Sequence, residues 1–130
     1  MSKQVLKIVS DAMESLGLEY GFGEYSGNEK GEIVYPYFVG EYTETESTTE
    51  DGLQESTIIL TGFSRDAWLT LEDARERIET YFNRVSGKTV IADNGSGVAV
   101  FYAHALTVPT GDAELKSIQI NLSMKEWKVN

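Results

Sequence analysis

Two stretches of the chain carry apolar residues at helical spacing. The first runs from Lys3 to Leu16, and Gly17 directly after it is suited to a left-handed helix cap. The second runs from Leu71 to Val85, with Thr70 as the candidate N-cap and Gly87 as the stop. The apolar stripes of the two predicted helices are Val5, Leu6, Ile8, Val9, Ala12, Met13 and Leu16, and Leu71, Ala74, Ile78, Phe82 and Val85.

Five further stretches are predicted strands. Ile33–Tyr42 and Ser56–Phe63 are rich in β-branched and aromatic residues, and we expect them to pair as a hairpin with a long polar tip. Thr89–Ala92 and Val98–Leu106 follow the second helix. In the last stretch, Ile118–Met124, apolar and polar residues alternate, which is typical of a strand with one covered face.

The predicted order is therefore helix, two strands, helix and three strands. It indicates a single α+β domain, residues 1–130, with an antiparallel sheet of about five strands and both helices packed on one face. The glycine-rich stretch Gly21–Gly31 is predicted to be a loop. Pro36 lacks an amide hydrogen, so we expect the beginning of the first strand to lie at a sheet edge or a bulge.

The composition excludes several classes of protein. The 130 residues contain no cysteine, so disulfides and thiolate metal sites are excluded. With 21 acids against 11 bases the net charge is −10, which disfavours specific binding to nucleic acid, because Lys and Arg supply most of that affinity. We expect neither a signal peptide behind Met1 nor a membrane-spanning segment.

The acidic excess is concentrated in one part of the chain. No Lys or Arg occurs between Glu32 and Ser64, and this interval includes the low-complexity tract from Thr43 to Glu50. The acids of the interval are Glu32, Glu41, Glu44, Glu46, Glu50, Asp51 and Glu55. A solvated acidic loop and a functional surface are both consistent with this pattern.

The sequence offers little for catalysis or metal binding. His104 is the only histidine, and Asp93 and Asp112 in flanking turns are its only candidate carboxylate partners. We place His104 on the same side of its strand as Val100 and Tyr102, and we expect a structural role for it. The turn Asp93–Gly97 precedes a strand rather than a helix, so it does not match a phosphate-binding loop. We therefore predict a protein that is not an enzyme and has no cofactor.

Trp68 is the side chain for which two roles are open. Together with Leu69 it lies between a predicted strand and a predicted helix, where an apolar pair often packs against the helix start. Tryptophan is also enriched at the centres of protein interfaces, so Trp68 is a candidate interface anchor. The same two interpretations apply to Trp127.

One run of residues resembles a known family. Tyr35–Glu44, then Asp51-Gly52, then Ile58–Arg65 are similar to the small tail terminator and tail-completion proteins of siphophages and related prophages, in which a "YPY" strand, a polar hairpin tip, a second strand and an amphipathic helix follow one another. The resemblance covers residues 33 to 82.

The resemblance implies a structural role in the virion tail, with assembly in the host cytoplasm. Such proteins form a ring, commonly a hexamer, on the last ring of tail-tube subunits, stop its polymerisation and present a joining surface to the head–tail connector or stopper protein. No catalytic residue or cofactor belongs to that role, and DNA passes through the ring. The residues that we expect at interfaces are Tyr42, Glu44, Glu46, Glu50, Asp51, Arg65 and Trp68.

Two alternatives remain open. A head-completion or stopper protein of the phage neck would differ in its partner and not in its general chemistry. An enzyme or small-ligand domain would have to use His104 with Asp93 or Asp112.

Overall fold

The computed structural model describes residues 3–44, 54–91 and 95–127, which form two helices and six strands. The α+β class and the presence of two helices are as predicted. In chain order the elements are α1 (Lys3–Ser15), β1 (Glu19–Phe22), β2 (Tyr37–Glu44), β3 (Gln54–Ser64), α2 (Trp68–Phe82), β4 (Lys88–Ile91), β5 (Gly97–Val108) and β6 (Lys116–Trp127).

All six strands belong to one mixed sheet, in the order β1-β2-β3-β6-β5-β4. The prediction of an antiparallel sheet of about five strands is wrong, because β1 pairs with β2 in parallel while the other neighbours are antiparallel. Four residues, one of them Gly21, are too few to show an alternating pattern beside a glycine-rich stretch. β1 is therefore held by its partner β2 rather than by any strong preference of its own.

A single hydrophobic core joins both helices to one face of the sheet. Alternate residues of β3 and β6 point into it, including Ile58, Leu60, Ile120 and Leu122, each at most 1% exposed. Full burial of one such side chain stabilises the fold by roughly 1.5–3 kcal/mol. The helices contribute Val5, Val9, Ala12 and Met13 from α1, and Leu71, Ala74, Ile78 and Phe82 from α2.

α2 begins and ends differently from the prediction. It starts at Trp68, and the N-cap residue Ala67 makes no side-chain capping bond, so Thr70 is not the cap. It ends at Phe82, not at Val85, because Asn83 leaves the helical region with φ 51°. The Asn83 side-chain oxygen then accepts the backbone N–H groups of Val85 and Ser86, an arrangement that competes with further helix.

The segment before β2 is not part of the strand. β2 begins at Tyr37, after a cis peptide bond between Tyr35 and Pro36. Pro36 thus precedes the ladder instead of occupying a bulge, and β2 is an interior strand because β1 covers its other side. The prediction of an edge or bulge at Pro36 is wrong for this reason.

The ring of Phe38 fills the space that Gly62 leaves open. The two residues are direct partners in the β2–β3 ladder, and Phe38 is fully buried. A Cβ atom on residue 62 would lie 2.4 Å from the Phe38 ring. Since the core around Phe38 is closely packed, a larger residue at position 62 would have to displace the ring.

We predict that Gly62→Ala destabilises the fold by about 1–3 kcal/mol, because the added methyl group overpacks the core. Urea denaturation of the variant and the parent measures this change. Thr61→Ala, one position away on the other face of β3, is the control and should change stability less. Phe38→Leu combined with Gly62→Ala should cost less than the sum of the two single changes, and strict additivity would contradict the proposed clash.

Candidate functional site

The sheet separates the predicted interface residues into two groups at its opposite ends. Tyr42 and Glu44 lie in the last part of β2, next to the β2–β3 connection. Arg65 and Trp68 follow the far end of β3, where β5 also ends and β6 begins. We call these the hairpin end, marked by Glu44 and Gln54, and the tryptophan end, marked by Arg65, Trp68 and Leu69. Glu46, Glu50 and Asp51 lie outside the described residues.

At the tryptophan end, two large apolar side chains lie in the first turn of α2 and point largely to solvent. Trp68 is 47% exposed and Leu69 is 77% exposed. The buried stripe of α2 begins only at Leu71, so both residues project beyond the core. Sequence reasoning placed them between strand and helix, whereas the structure makes them the first two residues of the helix.

These two side chains border an apolar cleft between α2 and the sheet. Its other lining residues are Leu71, Glu72, Thr107 and Ile118. A second cleft on the other side of Trp68 is formed by the turn between β5 and β6, including Pro109, Asp112 and Leu115. Trp68 thus lines two clefts, and tryptophan is enriched among the residues that anchor protein contacts.

Arg65 links two segments at the same end. Its Nη1 lies 3.5 Å from Oδ2 of Asp112, and its Nε donates to the hydroxyl of Tyr35 at 3.3 Å. About half of each charged side chain in this pair is exposed, so the pair adds little to stability. Its effect is to hold a cation close to the exposed Trp68, which lines the same cleft as Asp112.

Beside Arg65, four aromatic rings pack together on the side of the sheet that the helices leave uncovered. The ring centroids of Tyr25 and Tyr37 are 4.6 Å apart and stacked, those of Tyr35 and Tyr37 are 5.5 Å apart, and those of Tyr37 and Phe63 are 5.3 Å apart. The hydroxyl of Tyr25 donates to Glu19 at 2.9 Å and ties the loop to β1. Sequence reasoning missed this cluster, although Tyr37 and Phe63 are direct partners in the hairpin that it predicted.

Tyr42 at the hairpin end is half-buried and packs against the core. Its hydroxyl lies 3.5 Å from the hydroxyl of Ser56 on β3. The side chain therefore helps to join β2 and β3 near the start of the polar tip. Trp127 also lies at this end, where its indole N–H donates to the carbonyl of Gly95 and its ring covers Gly97.

His104 does not lie on the side that the sequence predicted. A bulge between Tyr102 and His104 shifts the register, so His104 pairs with Asn121 and faces away from the helices, unlike the buried Tyr102. Its Nε2 lies 3.0 Å from Nδ2 of Asn121. Asp112 instead interacts with Arg65, and Asp93 lies outside the described residues.

Within the described ranges, no group of three or more His, Asp or Glu side chains could hold a metal ion. Among the same residues, no helix is long and apolar enough to cross a membrane. No protein-family model matches the chain, and no curated protein matches it either.

The pKa of the Asp112 carboxyl lies below its usual range. The main cause is the backbone N–H of Glu114, which donates to Oδ1 at 2.9 Å, and Arg65 adds a further lowering. Because the pKa of the Asp112 carboxyl is lower in the folded state, its ionised form stabilises the fold at pH values above the pKa that the same carboxyl has in the unfolded chain. This contribution is lost as the pH falls through the folded-state pKa.

We predict that Arg65→Gln raises the pKa of Asp112 but leaves it below the usual value, because the Glu114 N–H remains in place. Titration of the carboxyl carbon by NMR measures this pKa. Arg84→Gln serves as the control, since Arg84 pairs with Glu79 and should not affect Asp112. An unchanged pKa in Arg65→Gln would show that the two side chains do not interact in solution.

Proposed function

We propose that this chain is a structural subunit of a phage or prophage tail that forms a ring on the end of the tail tube. In this role it stops polymerisation of the tube and presents the surface to which the neck of the filled head joins. Binding of neighbouring proteins is its whole activity, and the resemblance of residues 33–82 to tail terminator proteins supports this proposal.

The observation that carries the proposal is the exposed pair Trp68 and Leu69 beside an apolar cleft. Adjacent exposed apolar side chains beside an apolar cleft are typical of a surface that another protein covers, and tryptophan is enriched at the centres of such surfaces. The pair lies at the far end of the sheet from the β2–β3 connection. A subunit with distinct surfaces at two ends suits a position between two different partners, the tube on one side and the neck on the other.

We assign the tryptophan end to the tail tube. A terminator must bind a tube end more firmly than one further tube subunit does, so its tube-facing surface needs large buried anchors. Trp68, Leu69 and the adjacent cation of Arg65 supply them. The hairpin end, with its acidic tract, then faces away from the tube.

The acidic tract has a separate role in this proposal. If Glu44, Glu46, Glu50 and Asp51 face the channel of the ring, their charge repels the phosphates of passing DNA. DNA then moves through the ring without binding to it. The ring itself belongs to the virion tail and is assembled in the host cytoplasm.

We predict that the parent protein caps tubes assembled from the tail-tube protein of the same phage or prophage, and that Trp68→Ala reduces the occupancy of tube ends about tenfold or more. Truncation of a central tryptophan typically costs at least about 2 kcal/mol of binding, which exceeds a factor of ten. Electron microscopy of tube ends, and of tube length after more tube protein is added, measures both effects.

The matched control is Leu106→Ala, which removes a side chain of similar exposure, 45%, from the uncovered face of the sheet. Its capping should equal that of the parent, and urea denaturation should show all three proteins folded. A parent protein that leaves tube ends bare and binds the purified neck connector would identify a stopper instead. Binding to neither partner would contradict the proposal.

A further inference from the structure

Among the residues that the structure describes, the large exposed apolar side chains other than Leu106 fall into three groups, two of which are associated with the edge strands of the sheet. Phe22 (42% exposed) ends the edge strand β1, and Ile33 (48%) and Val34 (37%) lie in the connection that follows it, where the Val34 N–H donates to the Tyr25 hydroxyl. Val90 (40%) and Ile91 (65%) lie in the edge strand β4, and Val85 (89%) lies in the segment that precedes it. The third group is Trp68 and Leu69 at the tryptophan end, and Leu106 lies apart from it on the uncovered face of the sheet.

The two edges carry opposite charge. Residues 17–34, beside β1, contain the acids Glu19, Glu24, Glu29 and Glu32 and the base Lys30, four against one, a net charge of −3. Residues 83–91, beside β4, contain Arg84 and Lys88 and no acid, a net charge of +2, of which the Arg84 charge is partly offset by Glu79 of α2 at 3.6 Å. We call these surfaces the acidic edge and the basic edge.

We propose that the basic edge of one copy binds the acidic edge of the next, and that repetition of this contact closes the ring. The inference rests on the proposed function in that it names the surface by which the ring subunits meet. Two different patches on one subunit form a head-to-tail contact, and such a contact generates a ring when its rotation closes.

Charge also disfavours the alternative in which two copies meet through identical edges. Two basic edges would place Arg84 and Lys88 of one copy against those of the other, and two acidic edges would bring together eight acids, four from each copy. Like charges opposed across an interface are repulsive. Contact between unlike edges pairs them with opposite charges instead.

Strand direction is compatible with the contact. β1 runs parallel to β2, and the four other pairings in the sheet are antiparallel, so four reversals leave β4 running in the same direction as β1. A rotation that relates neighbouring copies about an axis near the strand direction preserves this direction. β4 and the next β1 therefore lie parallel, and the helices stay on one side all round the ring.

The ladder also indicates how the strands tilt in such a ring. Successive strand pairings place Lys88 of β4 at the same height in the sheet as Glu44 of β2, by way of Val100, Met124 and Ser56. Phe22 of β1 is at the height of Gly40, four residues earlier on β2. The offset of four residues is about 13 Å along the strands, and the five strand spacings between β1 and β4 of one copy span about 24 Å. Alignment of Phe22 with the Lys88 of its neighbour thus needs a tilt of at most roughly 28° from the ring axis, because the gap between copies adds to the lateral distance.

Side chains, rather than an extended ladder, make this contact. The loop after β1 returns along the acidic edge, where Tyr25 bonds to Glu19 and the loop residues Gly27 and Glu32 line a cleft with Glu19. On the basic edge, the Lys88 ammonium lies 4.6 Å from the ring centre of Tyr81 and its side chain is exposed. We assign the exposed carboxylate of Glu24 on the neighbouring copy, two residues after Phe22, as the partner of Lys88.

Site-directed cross-linking tests the proposal, because the chain has no cysteine of its own. The double variant Phe22→Cys, Val90→Cys is treated with a short bis-maleimide, free in solution and on tail-tube ends. Within one copy the two positions lie on opposite sheet edges, roughly 24 Å apart across the strands and roughly 20 Å apart along them, too far for the linker. We expect a series of cross-linked oligomers of increasing size from the double variant, and monomers from each single variant.

The matched control is Phe22→Cys, Leu106→Cys, in which the second cysteine has a similar exposure but lies away from the basic edge. This variant should give no cross-linked oligomers. Dimers from either single variant, as abundant as the products of the double variant, would show contact between identical edges and overturn the proposal. Capped tubes without linked oligomers would refute the interface and leave the proposed function intact. Linked oligomers without capping of tubes would support the interface and contradict the proposed function.

Charge reversal tests the pairing itself. In the double-cysteine background, Lys88→Glu should lower the yield of linked oligomers about two- to fivefold, the effect of one exposed ion pair. Adding Glu24→Lys should restore it, and Lys7→Glu on the outside of α1 should leave it unchanged. A yield that does not respond to Lys88→Glu would contradict the assigned pair.

Discussion

The joint burial of one face of β3 and β6 under α1 and α2 is the interaction on which the rest of the structure depends. These two central strands pair over eleven residues, and their inward side chains, such as Leu60 and Leu122, contact a core that both helices share. The short outer strands β1 and β4 are held mainly by their neighbours in the ladder. Because the core takes up only one face of the sheet, the edges and both ends of the strands remain available for contacts with other proteins.

The exposed apolar side chains follow the geometry of that core. None of the three groups fits under the helices, since Trp68 precedes the buried stripe of α2, Val85 follows its end, and Phe22 closes an edge strand. Charged residues lie near each group, and they would give a contact its direction. The proposed ring uses the two lateral groups between copies and reserves the tryptophan end for the tube.

The sequence predicted the elements that have strong periodicity and missed the features that depend on a few residues. Alternation in β6 and the stripes of both helices were sufficient to predict those elements. β1 was missed because four residues carry no readable period, and the side of His104 was wrong because a bulge leaves no mark in an apolar pattern. Residue type alone made Trp68 an interface candidate, which stays a prediction. Its exposure beside a cleft could not be predicted, because it depends on α2 beginning at Trp68 itself.

The length of the central strands places the two ends of the sheet far apart. β6 has twelve residues, about 40 Å of continuous strand, and it connects the neighbourhood of Trp68 with that of Trp127. Sites this far apart that share no contact partners usually act independently, so we expect binding free energies at the two ends to add. Substitutions at one end could then change which partner binds there without changing the affinity at the other end.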